Sequence, residues 1–213
     1  MRIILTVLFL IINFGEWQSE KVKILIIGDS ISIAYTPFVQ EALSDNAIVV
    51  HSPGNAQHSG IGLAKLDEWI GEEQWDIIQF NWGLWDICYR HPDSEIQGNR
   101  DKINGTQTFS LKEYRANLSE LVKRLKKTNA KLIFITTSYV PEGEAGRFSG
   151  DEIKFNKVAK KVMWGNDILV NDIHRASKNI HLKHAKAPDD VHYTKEGSQM
   201  LAVEIVNFLK KEI

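Results

Sequence analysis

The chain has 213 residues, 43% of them hydrophobic and 25% charged, with 26 basic against 27 acidic side chains. Those proportions exclude a disordered, collagenous or coiled-coil chain, and a formal net charge of −1 gives no general attraction to nucleic acid or to an anionic membrane. The single cysteine, Cys88, excludes an intrachain disulfide framework and a multi-cysteine zinc cluster.

Met1 and Arg2 are followed by a nearly unbroken apolar run over residues 3–12 and then by the more polar NFGEWQSEK. A membrane span needs about 20 apolar residues, twice this length. A short positive end, an apolar core and a polar exit form the pattern of a secretory signal peptide, expected over residues 1–19, with cleavage between Gly15 and Ser19. The expected product is an exported, periplasmic or secreted protein without a stable membrane anchor. A buried N-terminal strand or an uncleaved anchor are the alternatives. Residues 20–213 are then one domain.

Residues 22–27 (VKILII) form an apolar, β-branched run ended by Gly28, the pattern of a buried parallel strand. An amphipathic helix is expected over 31–43, with Pro37 an irregularity, and a second strand over 46–51. Residues 60–70 place Leu63, Leu66, Trp69 and Ile70 on one helical face. A strand at 76–80 leads into a long polar loop, about 86–109, and long ordered loops tend to carry function. Leu111, Tyr114, Leu118, Leu121 and Leu125 have helical spacing behind Ser110 as N-cap. A strand at 131–137, a helix at about 151–164, a short strand at 168–170 and a closing helix at 195–211 complete the pattern. Such alternation implies a parallel sheet with helices on both faces.

Ligands of such sheets bind at the carboxyl ends of the strands. After the first strand stands Gly28-Asp29-Ser30. A serine there has its hydroxyl at the positive end of a helix, beside unpaired N–H groups able to hold an oxyanion. It could equally serve only as an N-cap, or the turn could bind a phosphate. The third strand runs into Phe80-Asn81-Trp82-Gly83-Leu84-Trp85-Asp86. Asn81 is a neutral donor suited to a developing oxyanion, or a tie for its own loop. Trp82 and Trp85 either fill the core or stack on a sugar ring. Near the end, an Asp three residues ahead of a His, Asp189 and His192, can hold Nδ1 while Nε2 faces outward, as a serine nucleophile requires. The competing reading takes His181, His184, Asp189, Asp190 and His192 as metal ligands, but His181-x-x-His184 lacks the glutamate and spacing of HExxH.

Together, GDSIS at 28–32, FNWG at 80–83 and DDVH at 189–192 resemble the motifs of the SGNH (GDSL-type) hydrolase family. The resemblance covers nearly all of residues 20–213. It implies a three-layer, flavodoxin-like fold with about five parallel strands. It implies Ser30 as nucleophile, His192 as general base and acid, Asp189 as its partner, and no cofactor or metal. Asn81 and the Ser30 N–H would form part of the oxyanion hole. Two departures stand out: the usual Gly-x-Asn-Asp is Phe-Asn-Trp-Gly here, and the second-strand glycine has no unique counterpart, Gly54 being nearest, Asn55 next and Gly60 the fallback. No Gly-x-Ser-x-Gly surrounds any serine, against an α/β-hydrolase.

Arg90, His91, Arg100, Asp101 and Arg147 fall in loops at the same sheet edge; with Asn55, Trp82 and Trp85 they suggest a polar, aromatic mouth suited to an acylated carbohydrate. The arginines could instead pair on the surface with Asp86, Asp93, Glu95 and Glu144. The expected function is an exported serine esterase that removes small acyl groups, acetyl foremost, from a small-molecule or polysaccharide ester. A lipid esterase or lysophospholipase on the same scaffold, or a non-catalytic carbohydrate-binding protein, are the alternatives.

Overall fold

The structure, a computed structural model, describes residues 20–213; the expected signal peptide lies outside the described residues. Strands β1 (Val22–Ile27), β2 (Ala47–His51), β3 (Ile77–Phe80), β6 (Lys131–Ile135) and β7 (Leu169–Asn171) form one parallel sheet in the order β2-β1-β3-β6-β7. Its centre is dry: Ile24–Ile27, Ile77, Ile78, Phe80 and Ile133–Ile135 are all buried, as expected of strands covered on both faces.

The helices form the outer layers. Helix α1 (Ser30–Ala42) packs on α6 (Lys195–Leu209), which packs on α5 (His174–His184). Helix α3 (Leu111–Leu125) lies between α2 (Ser59–Ile70) and α4 (Asp151–Trp164). Right-handed crossovers to strands on opposite sides of β1 require α1 and α2 to lie on opposite faces. The chain therefore reverses direction between β1 and β3, and the crevice at such a switch point is where an α/β sheet accommodates ligands. The three-layer fold with five parallel strands expected from the sequence is the fold observed.

Three local features differ from expectation. Asp29, not Ser30, caps α1: its carboxylate accepts from the Ile31 N–H at 3.0 Å, leaving Ser30 as the first helical residue. Helix α5 has no counterpart in the sequence reading, because its charged sequence buries only Ser177, Ile180 and His181. The long loop is ordered. Its strands β4 (Tyr89–Arg90) and β5 (Thr106–Gln107) form a short antiparallel ribbon. The Tyr89 N–H donates to Gly146 and the Lys102 N–H to Ala145, fastening this loop to the one after β6.

Candidate active site

Ser30 reaches the carboxyl edge of the sheet through a tight turn. A Cβ on Gly28 would lie 2.6 Å from Ser32 Oγ, so only glycine lets β1 and the first turn of α1 come this close. As the first helical residue, Ser30 keeps an N–H with no intrahelical carbonyl to bond, at the positive end of the helix dipole. Asp29 is buried beneath it, and burial pushes its carboxyl above the ordinary value.

His192 arrives from the other end of the chain. The segment before α6 is pinned by the Lys186 N–H on the His192 carbonyl, the Thr194 N–H on His184, and His181 Nε2 on the Asp190 carbonyl at 2.7 Å. Ser30 Oγ lies 2.9 Å from His192 Nε2. His192 Nδ1 lies 2.6 Å from Asp190 Oδ1, which also accepts the His192 backbone N–H at 3.0 Å. Burial raises the Asp190 carboxyl, but those hydrogen bonds outweigh it and hold the group below its usual value. With Nδ1–H given to the carboxylate, Nε2 is free to accept the Ser30 proton.

The carboxylate on His192 is therefore that of Asp190, not the expected Asp189. The turn from Ala187 to Asp190 points Asp189 outward to solvent, with its Cβ near Gly143. From two positions ahead, in an Asx turn, Asp190 catches both the backbone and the ring N–H of His192.

Ser30 and His192 open into a cleft of about 420 Å³, also lined by Asn55, Trp85, Arg90, Arg100, Arg147 and Asp190. Gly54 is not among the lining residues: at φ +72° it turns the chain outward and brings the next residue, Asn55, to the cleft. The Asn55 Oδ1 accepts from the Gln57 N–H at 2.8 Å, which leaves the Nδ2 amide free to donate.

Asn81 is placed elsewhere than expected. Its Nδ2 donates to the Ile135 carbonyl at 2.7 Å, tying β3 to β6, and it lines a smaller cavity with Ser32, Tyr35 and Ser138. Trp82 is likewise no sugar platform. It is 1% exposed, its Nε1–H donates to Ala56, and its indole occupies space that a Cβ on Gly62 would fill. Trp85 is half-buried at the cleft, with the Arg90 guanidinium 4.7 Å from its ring centroid.

The arginines are not paired on the surface as the alternative held. Arg100 and Arg147 share the fully buried Glu144 at 2.6 and 2.9 Å, and Glu144 Oε2 accepts the Gly146 N–H. Arg147 also donates to the Leu84 carbonyl. Nothing in the sequence singles out Glu144 as interior except the two arginines that need it.

Asp86 is also interior rather than superficial. Its Oδ1 accepts from both the N–H and the hydroxyl of Ser59, while Oδ2 has no partner among the described residues. Burial pushes its carboxyl up to about 7 from an ordinary 3.8. Between those values the folded chain keeps a proton that the unfolded chain has released, so stability falls as pH rises through that window. The pH-dependent loss removed by Asp86→Asn is expected to be on the order of 2–4 kcal/mol, read as the difference between wild-type and variant urea-unfolding curves from pH 4 to pH 8. Parallel curves would mean that Asp86 is ionised in the folded chain throughout.

No protein-family model matches the chain, and no curated protein matches it in sequence. Solved structures do match. The crystal structure of the acetyl xylan esterase AlAXEase is 16% identical, covers 88% of this chain and 100% of its own, and superposes with a TM-score of 0.70. A lipase/acylhydrolase from Enterococcus faecalis is 20% identical over 90% of this chain and 97% of its own, with a TM-score of 0.71. Axe2, an acetylxylan esterase from Geobacillus stearothermophilus, is 20% identical over 89% and 94%, with a TM-score of 0.70. The chain shares the three-layer α/β fold of these structures. At these identities the likeness is one of architecture. Within this scaffold the cleft lies at the reversal between β1 and β3, and Ser30, at the start of α1, opens into it. Among the described residues, no helix is long and apolar enough to cross a membrane.

Proposed function

We propose that this protein is an exported serine ester hydrolase that removes small acyl groups, acetyl foremost, from a carbohydrate. The observation that carries the reading is the continuous chain of contacts from Ser30 Oγ through His192 to Asp190. The Ser30 oxygen attacks the ester carbonyl carbon as His192 Nε2 takes its proton, and Asp190 stabilises the imidazolium. The oxyanion is held by the Ser30 N–H at the positive end of α1, with the Asn55 amide as the side-chain donor in the role first expected of Asn81. The carbonyl re-forms, the alcohol leaves with the proton from His192, and an acyl-serine remains. Water, deprotonated by His192, releases the acid and restores Ser30.

The preference for a small acyl group rests on the cleft's character. Polar Asn55, Gln97 and three arginines line it beside Leu84, Trp85 and Val191, whereas a long fatty chain needs a continuous apolar groove. Two of the similar structures are acetyl xylan esterases, in keeping with an acetylated sugar. Export rests on the anatomy of residues 1–19.

The test is a fluorophosphonate probe on residues 20–213, followed by a series of nitrophenyl esters. The expected result is labelling at Ser30 alone, indifferent to chelator and lost in His192→Ala, with acetate turned over faster than octanoate. Labelling with a maximum at octanoate would transfer the reading to a lipid esterase. Neither labelling nor acetate hydrolysis would leave a carbohydrate-binding protein.

A further inference from the structure

Three guanidiniums line the cleft, and one carboxylate serves two of them. Arg100 and Arg147 are neutralised in part by Glu144, while Asp190 is engaged by His192. Arg90 has no carboxylate partner among the described residues. Its Nη1 donates to the Gly98 carbonyl, its plane is backed by the Trp85 indole, and its Nε and Nη2 meet no protein acceptor there.

The placement of Arg90 is built into the loop. Gly98 and Asn99 both have positive φ, +76° and 55°, forming the turn from which the Gly98 carbonyl faces the guanidinium. Gly105 packs against the Arg90 backbone so closely that a Cβ there would lie 2.8 Å from its nitrogen. Holding a half-buried cation without a counter-charge is unfavourable unless something else supplies that charge. Burial accordingly pulls the Arg90 guanidinium below its ordinary value.

We propose that Arg90, backed by Trp85, is a subsite for a carboxylate on the alcohol part of the substrate, so that the preferred esters are O-acetylated acidic sugars. The inference rests on the esterase reading above. The free Nε–Nη2 edge of a guanidinium matches the two oxygens of a carboxylate in a bidentate pair, and the indole covers the opposite face as a sugar ring approaches. The charge belongs on the leaving sugar because an acetyl group carries none.

The experiment compares two substrates acetylated at the same hydroxyl: a methyl galacturonoside and its uncharged uronamide, followed by acetate release. The expected kcat/KM ratio of acid to amide is about tenfold or more at low salt, shrinking severalfold in about 0.5 M NaCl. In Arg90→Gln the ratio is expected to fall to about one, and in Arg90→Lys, which keeps the charge but not the fork, to an intermediate value. The salt response of the wild type tests the same point should Arg90→Gln fail to fold. A wild-type ratio near one, or a ratio that survives Arg90→Gln, overturns the subsite. Turnover of nitrophenyl acetate with neither sugar cleaved also overturns it while leaving the esterase standing. Absence of both labelling at Ser30 and nitrophenyl acetate turnover overturns the two together.

Discussion

Asp190→Asn is expected to lower kcat on nitrophenyl acetate by about 10³–10⁴-fold, whereas Asp189→Asn leaves it within about twofold. The two residues are adjacent and chemically identical, so the contrast isolates geometry. Asp190 Oδ1 accepts from both the ring and the backbone N–H of His192, whereas Asp189 points to solvent. An asparagine at 190 can still accept through its carbonyl oxygen. It lacks the negative charge that stabilises the imidazolium, and its amide can turn to donate to Nδ1. That flip puts the imidazole proton on Nε2, where it faces the Ser30 hydroxyl instead of receiving its proton. The measurement is kcat across pH for the two variants beside Ser30→Ala. Equal losses at both positions would point to disturbance of the turn at Ala187–Asp190, and a loss confined to Asp189→Asn would reverse the assignment.

Glu144→Ala is expected to destabilise the chain by about 3–5 kcal/mol in urea unfolding. Glu144 is fully buried, and its Oε1 receives both Arg100 and Arg147, the latter only 5% exposed. Removing it leaves two like charges facing each other with little water to screen them. It also strips the Gly146 N–H of its acceptor, beside the Gly146 carbonyl that anchors Tyr89. Glu144→Gln keeps an acceptor oxygen, so it is expected to lose about 1 kcal/mol less than the alanine variant. A loss below about 1 kcal/mol for alanine would mean that the guanidiniums swing into the cleft and find water. Activity on an acetylated sugar is expected to fall with stability, since both arginines line the cleft.

The parts of the fold that the sequence makes plain are those where a single physical demand dominates. Strands β1, β3 and β6 are covered on both faces and are written as mostly apolar runs, broken only by Lys23, Gln79 and Lys131; α3 carries a clean apolar stripe behind Ser110, whose capping box with Glu113 is present in the structure. Helix α5 escapes because it buries so few residues that its pattern is indistinguishable from a polar loop. The two-residue strands β4 and β5 are too short for any alternation to register, and tertiary anchors rather than propensity hold them. Ser30 and His192 were legible because each stands at an element boundary next to an informative neighbour. Asp190 was not distinguishable from Asp189, because only the turn decides which carboxylate faces inward. Trp82 and Asn81 show the opposite hazard. Both stand at a strand end where ligands bind, and packing against Gly62 or a bond to the Ile135 carbonyl claims them for the scaffold.

Ser30 and His192 are separated by 162 positions, one at the start of α1 and the other just ahead of α6. A chain synthesised from its amino end therefore carries its nucleophile from an early stage but acquires the base only 162 residues later. On the proposed mechanism, no product that stops short of His192 can hydrolyse an ester. Catalytic competence thus doubles as a certificate that synthesis passed position 192 and that two distant segments found each other.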